Sequence, residues 1–129
     1  MYTQFFGNFL LQRNIVTPDQ LIAAINQEAT SHIKLGTLAM YHNLMTANEI
    51  DDIVVAQTHE DKHFGELAIE RNYLTEDQVN HLLSEQSPEY LLLGQVLIEQ
   101  GIISNADLED LIIDYESEHE IYDLDIQID

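Results

Sequence analysis

Four glycines, Gly7, Gly36, Gly65 and Gly94, stand 29 residues apart. A period of that length, held across the chain, marks a stacked repeat and limits the fold before any motif is weighed. Written from three residues ahead of each glycine, the units read "QFFGNFLLQRNIVTPDQLIAAINQEATSH", "IKLGTLAMYHNLMTANEIDDIVVAQTHED", "KHFGELAIERNYLTEDQVNHLLSEQSPEY" and "LLLGQVLIEQGIISNADLEDLIIDYESEH". They tile residues 4–119 without insertion or deletion and leave a tail, 120–129.

Each unit spells two short helices. The first carries the glycine and stops at Asn14, Asn43, Asn72 or Gly101, residue types that accept the left-handed conformation closing a helix. Three residues on stand Thr17, Thr46, Thr75 and Ser104, whose hydroxyls suit the N-cap of a second helix. Gln20, Glu49, Gln78 and Asp107 follow at the capping-box position, the aspartate being a shorter substitute. Pro18 falls at a first helical position, where its missing N–H costs nothing. Leu21, Ile22 and Ile25, with Ile50, Ile53 and Val54 in the second unit, have helical spacing. The expected fold class is all-α, four helix-loop-helix repeats with about 60–70% helix and no β-sheet core.

One unit cannot bury its own apolar stripe, so units must stack on one another. Glycine within a helix costs about 1 kcal/mol against alanine. Its recurrence at one place points to close approach of another helix or a ligand to bare backbone. On that ground, alanine at Gly36 or Gly65 is expected to destabilise.

Charge narrows the partners. The 129 residues hold 24 acidic side chains against four basic ones, a net −20. Nothing there builds the basic face that DNA or RNA requires, and anionic membranes are disfavoured alike. No cysteine is present, which removes disulfides and thiolate metal sites. The N-terminal "MYTQFFGNFLLQRN" has no basic leader, and its apolar runs are too short to span a bilayer. No membrane insertion and a cytoplasmic location are expected.

"HEDKH", His59 to His63, matches the H-E-x-x-H zinc-protease pattern. That chemistry needs both histidines one turn apart in a continuous helix. The repeat instead puts this segment across a unit boundary, after one second helix and before the next first helix. Metal binding and catalysis are therefore not expected there. No nucleophile elbow, P-loop or dinucleotide fingerprint occurs elsewhere. The acid pairs Asp51–Asp52, Glu76–Asp77 and Glu109–Asp110 suit first helical turns, where they complement the helix dipole. The tail "EIYDLDIQID" alternates apolar residues with acids, a strand-like pattern. An edge strand, a disordered acidic end and the start of a further domain all remain open for it, and it lacks the glycine and final glutamate of a calcium loop.

The units resemble the MshEN domain, the N-terminal cyclic-di-GMP-binding domain of pilus and type II secretion ATPases. Its motif, [Arg]-Leu-Gly-x-x-Leu-x-x-x-Gly-x6-Leu-x-x-x-Leu-x-x-Gln, repeats after a short spacer with the same period. Lys34, Leu35, Gly36, Ala39, Asn43, Ile50, Val54 and Gln57 fall on it in the second unit. In the third, His63, Phe64, Gly65, Ala68, Asn72, Val79, Leu83 and Gln86 do so. The resemblance implies two tandem pairs, 1–61 and 62–119, followed by the tail 120–129. It implies cyclic di-GMP as a regulatory ligand, bound by Lys34, Leu35, Gly36, Gln57, His63, Phe64, Gly65 and Gln86, with no catalytic residue, metal or other cofactor. One departure weighs against it. The slot of the family's ligand-gripping arginine holds Phe5, Lys34, His63 and Leu92, and a lysine point charge does not replace a bidentate guanidinium. Glu28 and Tyr115 stand where the outer units should carry glutamine. A regulatory module with a degenerate nucleotide site, binding a protein partner or adjacent domain, is the expected function. A working cyclic-dinucleotide receptor is the alternative. The chain is also similar, more vaguely, to segments that accompany CheX-type chemotaxis proteins.

Overall fold

The computed structural model describes the backbone of residues 2–85 and 87–128 and the side chains of residues 6–85 and 87–118. Among these the chain forms helices and no strand: α1 (Tyr2–Gln12), α2 (Pro18–Glu28), α3 (Leu35–Tyr41), α4 (Ala47–Gln57), α5 (Phe64–Glu70), α6 (Glu76–Ser84), α7 (Glu89–Glu99) and α8 (Asn105–Ile128). The helical share is 69%, within the expected range.

Stop and start signals act where the sequence puts them. Asn14, Asn43 and Asn72 take φ of 59°, 62° and 64°, and Gly101 takes 76°. The residue after each sends its N–H back over the last turn: Ile15 to the Leu10 carbonyl at 3.0 Å, Leu44 to Ala39 at 2.8 Å, Tyr73 to Ala68 at 2.9 Å, Ile102 to Leu97 at 3.0 Å. That is the long bond of a Schellman closure, made in every unit. Thr17, Thr46 and Thr75 complete reciprocal capping boxes with Gln20, Glu49 and Gln78. Ser104 and Asp107 do so at 3.0 Å in each direction, so the shorter carboxylate suffices. Since a Cβ at left-handed φ is tolerated chiefly for asparagine, Asn43→Ala should cost about 1 kcal/mol in urea unfolding, whereas Asn43→Gly should be neutral or better.

Packing then decides which units meet. Helix α7 is apolar nearly all round and is buried along Tyr90, Leu91, Leu93, Val96 and Leu97, as such a helix must be. It packs against α1, α2 and α8, while α4 meets α5 and α8, and α3 meets α4, α5, α6 and α8. First-unit helices thus touch fourth-unit ones, and second-unit helices touch third-unit ones. Between the outer units lies an aromatic cluster, with the Phe6 ring 4.9 Å from Tyr90, 5.0 Å from Tyr115 and 6.0 Å from Phe9. The Tyr90 hydroxyl donates to Glu116. Burial first, and then the hydrogen bond to Glu116, pushes the Tyr41 hydroxyl up to about 12 and raises Tyr90 as well, so both stay neutral donors.

The repeated glycines face the same place inside each unit. A Cβ on Gly7, Gly36, Gly65 or Gly94 would meet the first core residue of that unit's own second helix: Leu21, Ile50, Val79 or Leu108. The approach is tight at Gly94 and Gly7, 2.5 and 3.1 Å, and an ordinary contact of 3.5 and 3.6 Å at Gly36 and Gly65. The inner units add a reciprocal contact, since Gly36 also faces Phe64 at 3.0 Å and Gly65 faces Leu35 at 3.3 Å.

Helical spacing did not by itself decide burial, nor did the tail's pattern decide its conformation. Ile22, Ile25 and Val54 have helical spacing but are 58%, 43% and 48% exposed, because the inward stripe is supplied by Ala24 with the half-buried Leu21 on α2 and by Ala47, Ile50, Ile53 and Ala56 on α4. The tail is not an edge strand, since α8 runs unbroken to Ile128. Ile121, Leu124 and Ile128 also fit helical spacing, and extending an existing helix avoids the cost of nucleation.

Glu28 is the strained position of the α2–α7 contact. Its Oε1 is buried without a hydrogen-bond partner, and desolvation, then the Glu89 charge, lift its carboxyl above the ordinary 4.5. A raised carboxyl favours the folded state when protonated. Its contribution is therefore fully present below the ordinary value and is lost as pH rises through the folded one. Glu28→Gln should accordingly raise the neutral-pH melting temperature, and the gain should vanish toward acid pH.

Candidate functional site

An open cleft of about 550 Å³ lies between the second, third and fourth units. Lys34, Leu35 and Gly36 form one wall at the start of α3, and Ile50, Val54 and Gln57 of α4 form another. Phe64 enters from α5, and Gln95, Ile98 and Glu99 of α7, with Asn105 at the start of α8, close the far side. The floor is aliphatic and aromatic, while polar groups stand at the mouth.

Five of the eight expected site residues, Lys34, Leu35, Gly36, Gln57 and Phe64, border this cleft. His63 and Gly65 do not line it. His63 is the exposed N-cap of α5, its N–H donating to Glu66 at 3.4 Å, and Gly65 backs onto Leu35 and Val79. Gln86 lies outside the described residues. The "HEDKH" segment spans the connection between α4 and α5 rather than a helix, so its histidines lack the one-turn relation a zinc-protease helix gives them. No group of three or more His, Asp or Glu side chains placed to hold a metal ion occurs among the described residues.

The fourth unit supplies what the repeat pattern missed. Gln95 is 3% exposed and fully engaged. Its Oε1 accepts from the Lys34 N–H at 2.7 Å, and its Nε2 donates to the His32 carbonyl at 2.8 Å and to Glu99 at 3.0 Å. It ties the α2–α3 connection to α7 and so sets where Lys34 and Leu35 stand. The hint was a lone polar residue in "YLLLGQVLI". Glu99 also sits 3.7 Å from the Lys34 ammonium. Opposite, Asn105 donates to Asp51 at 2.8 Å, and Glu109 accepts from the Ala47 N–H at 3.0 Å, where a carboxylate suits the N-terminus of α4.

The same pairing holds for every other cation. Arg13 contacts Asp114 and Glu118, Lys62 contacts Glu60 and Glu70, and Arg71 contacts Asp52. Hydrogen bonding to Glu70 raises the Lys62 ammonium above its ordinary value. The four basic side chains of the sequence are thus all answered by carboxylates.

No family model, no curated protein and no solved structure matches this chain. No helix among the described residues is long and apolar enough to cross a membrane.

Proposed function

We propose that the chain is a non-catalytic regulatory interaction module of bacterial signalling, built on an MshEN-like repeat scaffold whose nucleotide site is degenerate. The observation that carries this reading is the state of Lys34. It is the one basic residue bordering the cleft, and Glu99 stands against it. Both N–H donors of Gln95 are already committed, to the His32 carbonyl and to Glu99. A dianionic dinucleotide would meet an apolar floor and a single cation already paired with Glu99, within a strongly acidic chain that repels it at a distance. A protein partner or adjacent domain, by contrast, gains from exposed aliphatic surface.

The alternative, a working cyclic-dinucleotide receptor, has one observation in its favour: five of the eight residues expected to bind the ligand gather around one cleft of ligand size. Calorimetric titration with cyclic di-GMP, paired with a melting curve, separates the two. The expected result is no heat and no stabilisation up to millimolar ligand. Micromolar or tighter binding that Lys34→Ala abolishes would overturn the degenerate-site reading and establish the receptor.

A further inference from the structure

Deepening the interaction-module reading, and resting on it, we propose that the cleft between the second, third and fourth units receives a basic amphipathic helix of a protein partner. Three observations converge on that occupant.

The first is the apolar floor. Leu35 and Phe64 occupy the same place in their units as the wholly buried Phe6 and Leu93, yet both are only half-buried and border open volume. Val54, 48% exposed, extends that surface outward along α4. Exposed aliphatic surface grouped around a concavity marks an interaction site, unlike single scattered residues.

The second is charge. Glu99 stands at the mouth, and Asp51 is held beside it through Asn105. All four cations of the chain are already paired with carboxylates, so its net −20 has no free positive counterpart. Such a field draws cationic partners and repels anionic ones, a second copy of this chain included.

The third is backbone geometry. The described residues offer no sheet edge for an extended segment to pair with. A groove between helices instead accepts a helix through apolar anchors one turn apart, with flanking lysine or arginine reaching the acidic rim. The partner class is therefore a cationic helix with one apolar face.

The test uses the full chain and a labelled synthetic helix of leucine and lysine, about 18 residues long, whose leucines form one stripe. Fluorescence anisotropy is measured with that peptide, with a scrambled peptide of the same composition, and with a glutamate-for-lysine counterpart. The striped lysine peptide should bind, more weakly as salt rises. Scrambling should cost roughly tenfold or more, and the glutamate peptide should not bind. Val54→Asp, at an exposed position that leaves the fold intact by its melting curve, should weaken binding by about tenfold through the lost anchor. Glu99→Gln should weaken it less and flatten the salt dependence. Ile22→Asp, equally exposed but on α2 away from the cleft, should change binding less than about twofold. Equal binding of striped and scrambled peptides, indifference to Val54→Asp, or no binding at all would overturn the cleft assignment. So would a sedimentation-detected dimer that Val54→Asp dissolves, since the occupant would then be a second copy. None of these touches the broader reading, which fails only on tight, Lys34-dependent binding of cyclic di-GMP.

Discussion

Phe6→Ala should remove about 3–5 kcal/mol of folding stability. The ring has no exposed surface, and it sits among Phe9, Tyr90 and Tyr115 at centroid distances of 4.9 to 6.0 Å. Truncation loses the transfer energy of the ring, the aromatic pairings, and the dispersion contacts of the cavity lining. The cavity cannot collapse easily, because two of its walls are α7 and α8, which are held by further contacts to α2, α3 and α4. Against the roughly 5–15 kcal/mol that a domain of this kind possesses, such a loss brings the chain close to unfolding. Urea unfolding followed by circular dichroism gives the number, and a loss below about 1 kcal/mol would show that the cluster is looser than these distances imply.

Gly94→Ala should be the costliest of the four glycine substitutions. A Cβ there would lie 2.5 Å from Leu108 Cδ1. Leu108 has no exposed surface into which it could turn. Overpacking of this kind costs about 1–3 kcal/mol, and alanine's better helix propensity returns about 1 kcal/mol. The net effect is expected to be a loss of roughly 1–2 kcal/mol. A double-mutant cycle makes the cause visible. Leu108→Ala alone opens a cavity, and in the double variant the new methyl meets space instead of a side chain. The pair should therefore cost less than the sum of the singles by about 1 kcal/mol. Gly65→Ala should behave differently. Its nearest neighbour is Leu35 Cδ2 at 3.3 Å, and Leu35 is half-buried beside the cleft, where it has room to give. That substitution should be neutral or mildly stabilising, contrary to what the period alone suggests.

Local structure was legible in the sequence because local chemistry causes it. The left-handed asparagines, the threonine caps and the capping-box partners act within a few residues of one another. Asn43 closes α3 and Thr46 opens α4 whatever lies beyond them, and the all-α class follows from these signals repeated in every unit. The glycine period signals close approach within the unit at Gly94 and Gly7, which press on Leu108 and Leu21, but not at Gly36 and Gly65, whose own-unit neighbours lie at ordinary distance. The tail was not legible. Leucine and isoleucine at short spacing suit a strand or a helix equally, and only continuity with α8 chose between them.

What the sequence could not assign is the fate of equivalent positions. Phe6, Leu35, Phe64 and Leu93 share one slot of the repeat. The structure buries Phe6 and Leu93 completely and leaves Leu35 and Phe64 at the edge of a cleft. The same division separates Ile112, which is buried, from Ile25, Val54 and Leu83, which are exposed. A repeat fixes what each residue is and which way it faces within its own unit. It does not fix which unit will cover it, because burial depends on contacts between residues tens of positions apart in the chain. Gln95 and Glu99 reach the cleft for that reason alone: α7 packs beside the start of α3, and a buried glutamine bonded to Lys34, His32 and Glu99 secures the junction. The period determined the helices and their turns, and tertiary packing decided which of their apolar faces became core and which became surface.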